Sequence, residues 1–576
     1  MVQDIYDPLD EFASVFQGKF RQVAEQTFDL LAQEAGIDAQ SNQQTCRELY
    51  QAQTEQSKLK SRLSRRKVLC GLLWTAIALA IVLIITMREQ WERYHLLLAG
   101  VVAIVALLLI FLVVMPQIQS LKELLGNITK KVEKLQTDAW EQLAKLNELF
   151  DWDILTRMMT QTVPRLEFDP YFTTQRLADL ERTYGWDGTF NEDRSVVYAH
   201  SGLINGNPFV ICRTKKMEMG EKTYYGSKVI SWTTIERDSK GHTYTQRHTQ
   251  TLTAHVIAPY PGYYEHTRVI YGNTAAPDLI FSRIDNDLAG RERSLAYKWE
   301  RRKLRKKMRD LEHSDYAMMA NEEFEVLFNT SDRNNNQQFA LLFTPLAQQS
   351  MLKLMRDEQI GYGDDFDFLK NKMINTILPQ HMQEINLDLN PKQYQHFDYE
   401  KAKKNFINKN QEYFRAIYFS LAPLLCVPMY QQIRPAEAIY GRDMKRRSAF
   451  WEHEALANFW GTKKFQHPDC VTDCILKTER TELSDNQAQI TVTAYGFRSV
   501  SRITYVSVYG GDGRWHQVPV HWDEYLPVTG KGQLQIEDDN HVEETGTTPR
   551  QRQERIQHML QRANYRYYRR HIASKV

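Results

Sequence analysis

The chain is 576 residues long, with 73 Lys and Arg against 71 Asp and Glu, and six cysteines. Its length predicts about two or three soluble domains besides any anchor. The near balance of charge argues against a general nucleic-acid binder. The sparse Cys46, Cys70, Cys212, Cys426, Cys470 and Cys474 make no disulfide framework and suit a reducing compartment.

Residues 1–67 read as an N-terminal helical segment. Phe12, Phe16, Phe20, Val23, Leu30 and Leu31 recur at roughly helical spacing, and Gly36 with Ser41-Asn42 marks a break. A second helix from about Thr45 runs through Leu49, Leu59 and Leu63, with the glutamine-rich surface of a stalk. It carries Lys58, Lys60, Arg62, Arg65, Arg66 and Lys67. Such a patch suits anionic lipid headgroups, at about 1 kcal/mol per charge near the surface.

Residues 68–115 are the strongest signal in the chain. Val68–Met87 and His95–Met115 contain no Asp, Glu, Lys or Arg. Each is close to the ~20 residues that a helix needs to cross a bilayer core, and a continuous helix satisfies its own backbone in lipid. Only Arg88–Tyr94 separates them, so the sequence predicts a two-helix transmembrane hairpin with Trp91 and Tyr94 at headgroup level. Basic residues lie on the long flanks, with Lys122, Lys130, Lys131 and Lys134 after the second span and only Arg88 and Arg93 between the two. The positive-inside rule then predicts a two-pass protein of the cell inner (cytoplasmic) membrane, with both termini cytoplasmic. The polar segment ahead of Val68 argues against a cleaved signal peptide.

Residues 116–150 read as a stalk helix. Pro116 permits a kink, and Ile118, Leu121, Leu125, Ile128, Val132, Leu135 and Ala139 form a heptad seam that resumes at Leu146 and Leu149. Its apolar stripe needs a partner, either the helices before the first span or a second copy in a coiled coil.

Residues 151–430 read as an α+β cytoplasmic body. A short helix is expected at Thr174–Tyr184, then antiparallel strands at Ser195–Ala199, Pro208–Lys215, Ser227–Ile235, Thr243–Ala258 and Thr267–Tyr271. Leu288–Glu312 is a charged helix containing Arg301, Arg302 and Arg305 in the densest basic cluster. Glu323–Phe328 and Gln338–Phe343 suggest strands, and Pro345–Arg356 and Lys401–Leu425 helices. The acids of Gly363-Asp364-Asp365-Phe366-Asp367 read as the N-terminal cap of an apolar helix through Phe368, Leu369, Met373 and Ile377.

Residues 431–540 read as a smaller β-rich domain. It opens with a helix at Ala449–Phe459 and continues in strands at Cys474–Glu479, Ala488–Tyr495, Ile503–Tyr509 and Arg514–His521. Gly510-Gly511-Asp512-Gly513 is a hairpin turn. Residues 541–576 read as a polar linker and a basic helix, Gln551–His571, with Arg566, Arg569 and Arg570 interleaved with tyrosines.

Two stretches carry a family resemblance. Asn321-Glu322-Glu323-Phe324-Glu325-Val326-Leu327-Phe328, then Phe339-Ala340-Leu341-Leu342-Phe343-Thr344-Pro345-Leu346 and Met351-Leu352, resemble the motif succession of bacterial proteins grouped as domain of unknown function 3137. Asn321 stands where that pattern has Pro. The resemblance covers roughly Asp151 to Pro428 and implies a bacterial membrane protein, with no catalytic residues to carry over.

Chemical motifs are sparse. There is no phosphate-binding glycine loop and no dinucleotide fingerprint, so no cofactor is indicated. His467, Cys470 and Cys474 are the best metal candidates, although their spacing is not that of a zinc knuckle and reduced cysteines near a turn explain them more simply. His453-Glu454-Ala455-Leu456-Ala457 lacks the second histidine of a zinc-protease helix. Ser201 follows His200 without a nucleophile elbow. The leading expectation is a non-enzymatic scaffold or binding module at the cytoplasmic membrane face, partnered by lipids and by proteins along the stalk. The alternatives are an enzyme acting near the membrane and a module binding anionic lipid through its basic clusters.

Overall fold

The structure is a computed structural model in which residues 5, 7–86, 93–237, 242–286, 288–309, 319–432, 447–483, 487–538, 565–568 and 571–575 are described. It is α+β and divides into two compact units, one of Glu25–Phe150 with Pro391–Asn408, the other of Met1–Ala24, Asp151–Asn390 and Lys409–Val576.

The chain opens with α1 (Pro8–Glu11), a π turn at Phe12–Phe16, and α2 (Gln17–Glu34). Gly36, at φ +64°, ends α2 in the left-handed conformation that favours glycine. Asp38 then caps α3 (Ala39–Thr86), its Oδ1 accepting from the backbone N–H of Gln40 and Ser41 at 3.0 and 3.1 Å. Next come α4 (Arg93–Leu109), a π turn at Ile110–Val114, and α5 (Met115–Leu149). In the helical unit α3 runs antiparallel to α4 and α5. Leu49 and Ala52 pack on Val132, Leu63 on Val114 and Ile118, and Ile77 on Ala106 and Ile110. The α5 stripe is therefore covered by the helix that precedes the apolar region. Residues 391–408 close the far end of this unit. Asn42 Nδ2 donates to the Phe397 carbonyl (3.0 Å), its Oδ1 accepts from Tyr399 N–H (2.9 Å), and Tyr50 donates to Asp398 (2.6 Å).

The second unit holds α6 (Ile154–Thr162), α7 (Thr174–Arg182) and an antiparallel sheet of order β1-β2-β3-β4-β8-β7-β5-β6. Its strands are β1 (Leu166–Phe168), β2 (Arg194–Ile204), β3 (Asn207–Arg237), β4 (Thr243–Gly272), β5 (Ile280–Arg283), β6 (Thr330–Ser331), β7 (Phe366–Asn371) and β8 (Ile374–Pro379). Asn205 and Gly206, both at positive φ, make the tight β2–β3 turn. The expected pairs of short strands fuse into single long ones, 31 residues in β3 and 30 in β4, paired from Phe209↔Tyr271 to Arg237↔Thr243. Pro259 and Pro261 do not break β4, because no described third strand pairs there.

Helices α8 (Leu295–Arg309), α9 (Glu322–Phe328), α10 (Asn336–Leu342), α11 (Pro345–Arg356), α12 (His381–Glu384) and α13 (Tyr399–Leu425) follow in the chain, and α13 crosses the unit boundary. Two expected strands are helices. Asn321 caps α9 and Asn335 caps α10, each side chain accepting from the N–H three residues on, and three acids occupy the first turn of α9. One expected helix is a hairpin. Phe366, Phe368 and Lys370 alternate inward along β7, and Lys372 at φ +56° makes the turn into β8.

After α14 (Phe450–Trp460), β9 (Ile475–Glu482), β10 (Gln487–Tyr509), β11 (Trp515–Asp538), β12 (Tyr565–Tyr568) and β13 (His571–Lys575) form a sheet of order β12-β13-β11-β10-β9. The expected basic helix, Gln551–His571, is thus strand at 565–568 and at His571, where β13 begins, and the rest of it, with Arg569 and Arg570, lies outside the described residues. This sheet does not close a core of its own. Trp451, Leu456, Ile490, Val492 and Leu534 share one apolar cluster with Phe172, Leu180, Val196 and Ile270 of the preceding region. Farther out, the β3–β4 and β10–β11 hairpins stack through Ile230, Leu252 and Ala254 against Val518 and Val520.

Candidate functional site

The apolar stretches of α3 and α4 present large side chains outward. Val68, Leu72, Leu79 and Ile85 on α3, and Val101, Leu108, Phe111 and Leu112 on the facing helix, are all exposed, Leu112 at 71%. Ile77, Ala80, Ala106 and Ile110 are buried instead, with Ile77 packed on Ala106 and Ile110. This is the reverse of a water-soluble pair, since contiguous exposed apolar surface marks a site of interaction. By length and composition one helix among the described residues is able to cross a membrane, starting at Gly100. It contains most of the second expected span. The first, Val68–Met87, and the loop after it reach into residues 87–92, outside those described.

Immediately before the apolar part of α3 stand Lys58, Lys60, Arg62, Arg65, Arg66 and Lys67, all exposed. Leu63 among them is buried on Val114 and Ile118, so the helix turns its basic residues away from the contact. Lys122, Lys130, Lys131 and Lys134 are exposed on α5. Because α3 and α5 are antiparallel, both sets lie on the same side of the apolar belt, with Lys122 near the level of Lys58–Lys67, which form a collar beside it, and Lys130, Lys131 and Lys134 farther along, where Val132 packs on Leu49 and Ala52.

The second basic cluster is occupied. Arg301 Nη2 donates to Glu322 Oε2 at 2.6 Å, and Arg305 donates through Nε and Nη2 to the same carboxylate at 2.5 and 2.9 Å. The hydrogen bonds from Arg301 and then Arg305 hold the Glu322 carboxyl down at about 2. Arg302 is exposed. Arg566 lies in β12, paired with Ala573.

The expected metal ligands separate. Cys470 and Cys474 bring their Sγ atoms to 3.6 Å, but His467 Nδ1 turns to its own loop, accepting from Asp469 N–H at 3.2 Å. Among the described residues no group of three or more His, Cys, Asp or Glu side chains is placed to hold a metal ion. The His453 helix is a packing element. Glu452 accepts from Phe172 N–H (2.7 Å), and Glu454 accepts from Val196 N–H (2.9 Å), Asn191 (3.0 Å) and Lys477 (3.0 Å). Ser201 donates to Asp169 at 2.6 Å rather than to a histidine, and Arg176 clamps that Asp169. The arrangement is not a hydrolytic triad, in which the base stands between the other two groups.

Sequence reading did not find three buried ionisable sites. Lys370, 1% exposed, has its pKa lowered by burial to about 7. Asp364 binds the fully buried Arg283, and burial raises the Asp364 carboxyl above its ordinary range. Asp365 binds His381 Nδ1 at 2.5 Å, with Tyr362 stacked on the imidazole at 3.8 Å. The acidic run at 364–367 was the only signal for the last two. No family model matches the chain, and neither a curated protein nor a solved structure does.

Proposed function

We propose that this protein is a membrane-anchored scaffold or binding module, held by an apolar helical pair and a basic collar. The observation that carries the reading is the outward display of large apolar side chains from Val68 to Ile85 and from Val101 to Met115, directly beside exposed Lys58–Lys67. Lipid tails solvate such a surface and water does not, while anionic headgroups favour the collar. In this reading both helices cross the inner membrane and both long flanks are cytoplasmic. The covered α5 stripe makes α3 its first partner, and binding partners or a second copy dock on what remains exposed. The motif succession at 321–352 supports kinship with the bacterial proteins of domain of unknown function 3137.

Membrane fractionation tests the reading. The full chain is expected to stay with the membrane pellet through alkaline carbonate extraction, and a variant lacking residues 68–115 to leave it while remaining resistant to proteolysis. Release of the full chain by carbonate would overturn the proposal.

A further inference from the structure

We propose that Cys470 and Cys474 are a reversible dithiol–disulfide pair, set where the two long hairpins leave the core. Their sulfurs, 3.6 Å apart, need to close only to the roughly 2.05 Å of a disulfide. Both rest on Gly496 of β10. A Cβ at that position would lie 2.5 Å from Cys470 Sγ and 2.8 Å from Cys474 Sγ, so glycine is what lets the two thiols share one floor.

The place is a joint. Pairing of β10 with β9 ends at Tyr495↔Ile475, and from Gly496 onward β10 and β11 continue as a two-stranded hairpin. The segment carrying the thiols also ties down both strands of the other hairpin. Lys215 of β3 donates to Asp473 Oδ2 at 2.6 Å, and the hydroxyls of Tyr263 of β4 and Thr472 lie 3.1 Å apart. Phe497 N–H donates to Thr472 Oγ1 (3.0 Å), and Val471 N–H to the Phe497 carbonyl (2.9 Å). A covalent link between residues 470 and 474 fixes the segment that holds all of these.

The oxidant is a low-molecular-weight disulfide. Cys470, at 8% exposure the more accessible thiol, loses its proton and attacks one sulfur of the oxidant, releasing a first small thiolate. Cys474 loses its proton and attacks Cys470 Sγ, releasing the second. Two protein thiols are oxidised and one small disulfide is reduced to two thiols.

The test uses the full chain in detergent, reduced, freed of reductant and incubated with oxidised glutathione. It is then denatured with N-ethylmaleimide and digested with trypsin. Both cysteines fall in the single peptide Phe465–Lys477. The expected result is that this peptide loses two hydrogens and escapes alkylation, while peptides holding the buried Cys212 and Cys426 are alkylated. Dithiothreitol should restore alkylation of both 470 and 474. The isosteric variant C474S should stop at a glutathione adduct on Cys470. Full alkylation of both cysteines after oxidant, a glutathione adduct persisting in the unsubstituted chain, or a disulfide joining two chains would each overturn the proposal.

Discussion

Lys370 Nζ and Asn375 Oδ1 lie 3.4 Å apart in a buried site where the lysine's other acceptor is the Ala275 carbonyl, at 3.1 Å. Neither is a carboxylate. Burial lowers the lysine's pKa from its ordinary 10.5 to about 7, so the folded chain binds this proton less tightly than the unfolded chain does. Where the unfolded state binds more protons, stability rises with pH. The contribution of Lys370 should therefore grow more favourable from about pH 7 to about pH 10. K370M removes a proton-release cost of about 4 kcal/mol at neutral pH and leaves the Ala275 carbonyl unpaired at about 1–3 kcal/mol. Urea unfolding at pH 7 should show the variant about 2 kcal/mol more stable, and at pH 10, where the proton-release cost is nearly gone and the unpaired carbonyl remains, about 1 kcal/mol less stable. An equal gain at both pH values would show that Lys370 does not titrate between them.

The Glu322 clamp on Arg301 and Arg305 has the opposite sign. Its carboxyl is held at about 2, below its unfolded value, so its stabilisation is present above about pH 4.5 and is lost as pH falls toward 2. The arginines are nearly half exposed, which limits E322Q to a cost below about 1 kcal/mol. The same substitution frees two guanidinium groups. Sedimentation with phosphatidylserine vesicles should show stronger binding by E322Q, and no change on phosphatidylcholine.

Glu454 and Lys477 form an ion pair of 3.0 Å, with the glutamate side chain 2% exposed. Burial raises the Glu454 carboxyl above its ordinary range despite that partner. E454A removes the carboxylate that offsets the Lys477 charge, leaving that ammonium only the Asn191 and Arg194 carbonyls, and strands two buried donors; it should cost about 3–5 kcal/mol, measured by denaturant unfolding. E454Q, which keeps an acceptor for Val196 N–H, should cost less.

The belt makes a depth-specific prediction. Leu108 and Leu112 face outward, so L108D with L112D should fail to stay in membranes, the acid at 108 opposing insertion by up to the helix-centre figure of about 2.5–3.5 kcal/mol and the acid at 112, nearer the end of the span, by less. Membrane recovery of L108A with L112A should be unchanged.

How much of this was legible followed from what each residue depends on. The apolar runs and the collar are local patterns, read directly from one stretch of chain. The α5 stripe also announced itself, and its partner was one of the two named candidates. The 322–328 segment misled because Val326-Leu327-Phe328 has strand-like composition, while the Asn321 cap and the acids of the first turn were passed over. The long strands were cut short at Pro259 and near Arg498, since pairing across a hairpin is invisible to a window of single-chain periodicity. Lys370 and His381 were unreadable for the same reason, because their neighbours come from strands and helices distant in the chain.

The prolines of the long hairpins have a consequence for association. Pro259 and Pro261 lie in β4, and Pro519 and Pro527 in β11. No described strand pairs with the outer side of β4 before Val269, or of β11 before Leu534. Proline withholds backbone donors and blunts such an edge against addition of a foreign strand. The opposite edges, β3 beyond Lys216 and β10 beyond Tyr495, have no proline, and no described strand pairs with them. Each stacked hairpin therefore has one guarded rim and one open rim, and a chain that adds a strand here has its full ladder of donors only along β3 and β10.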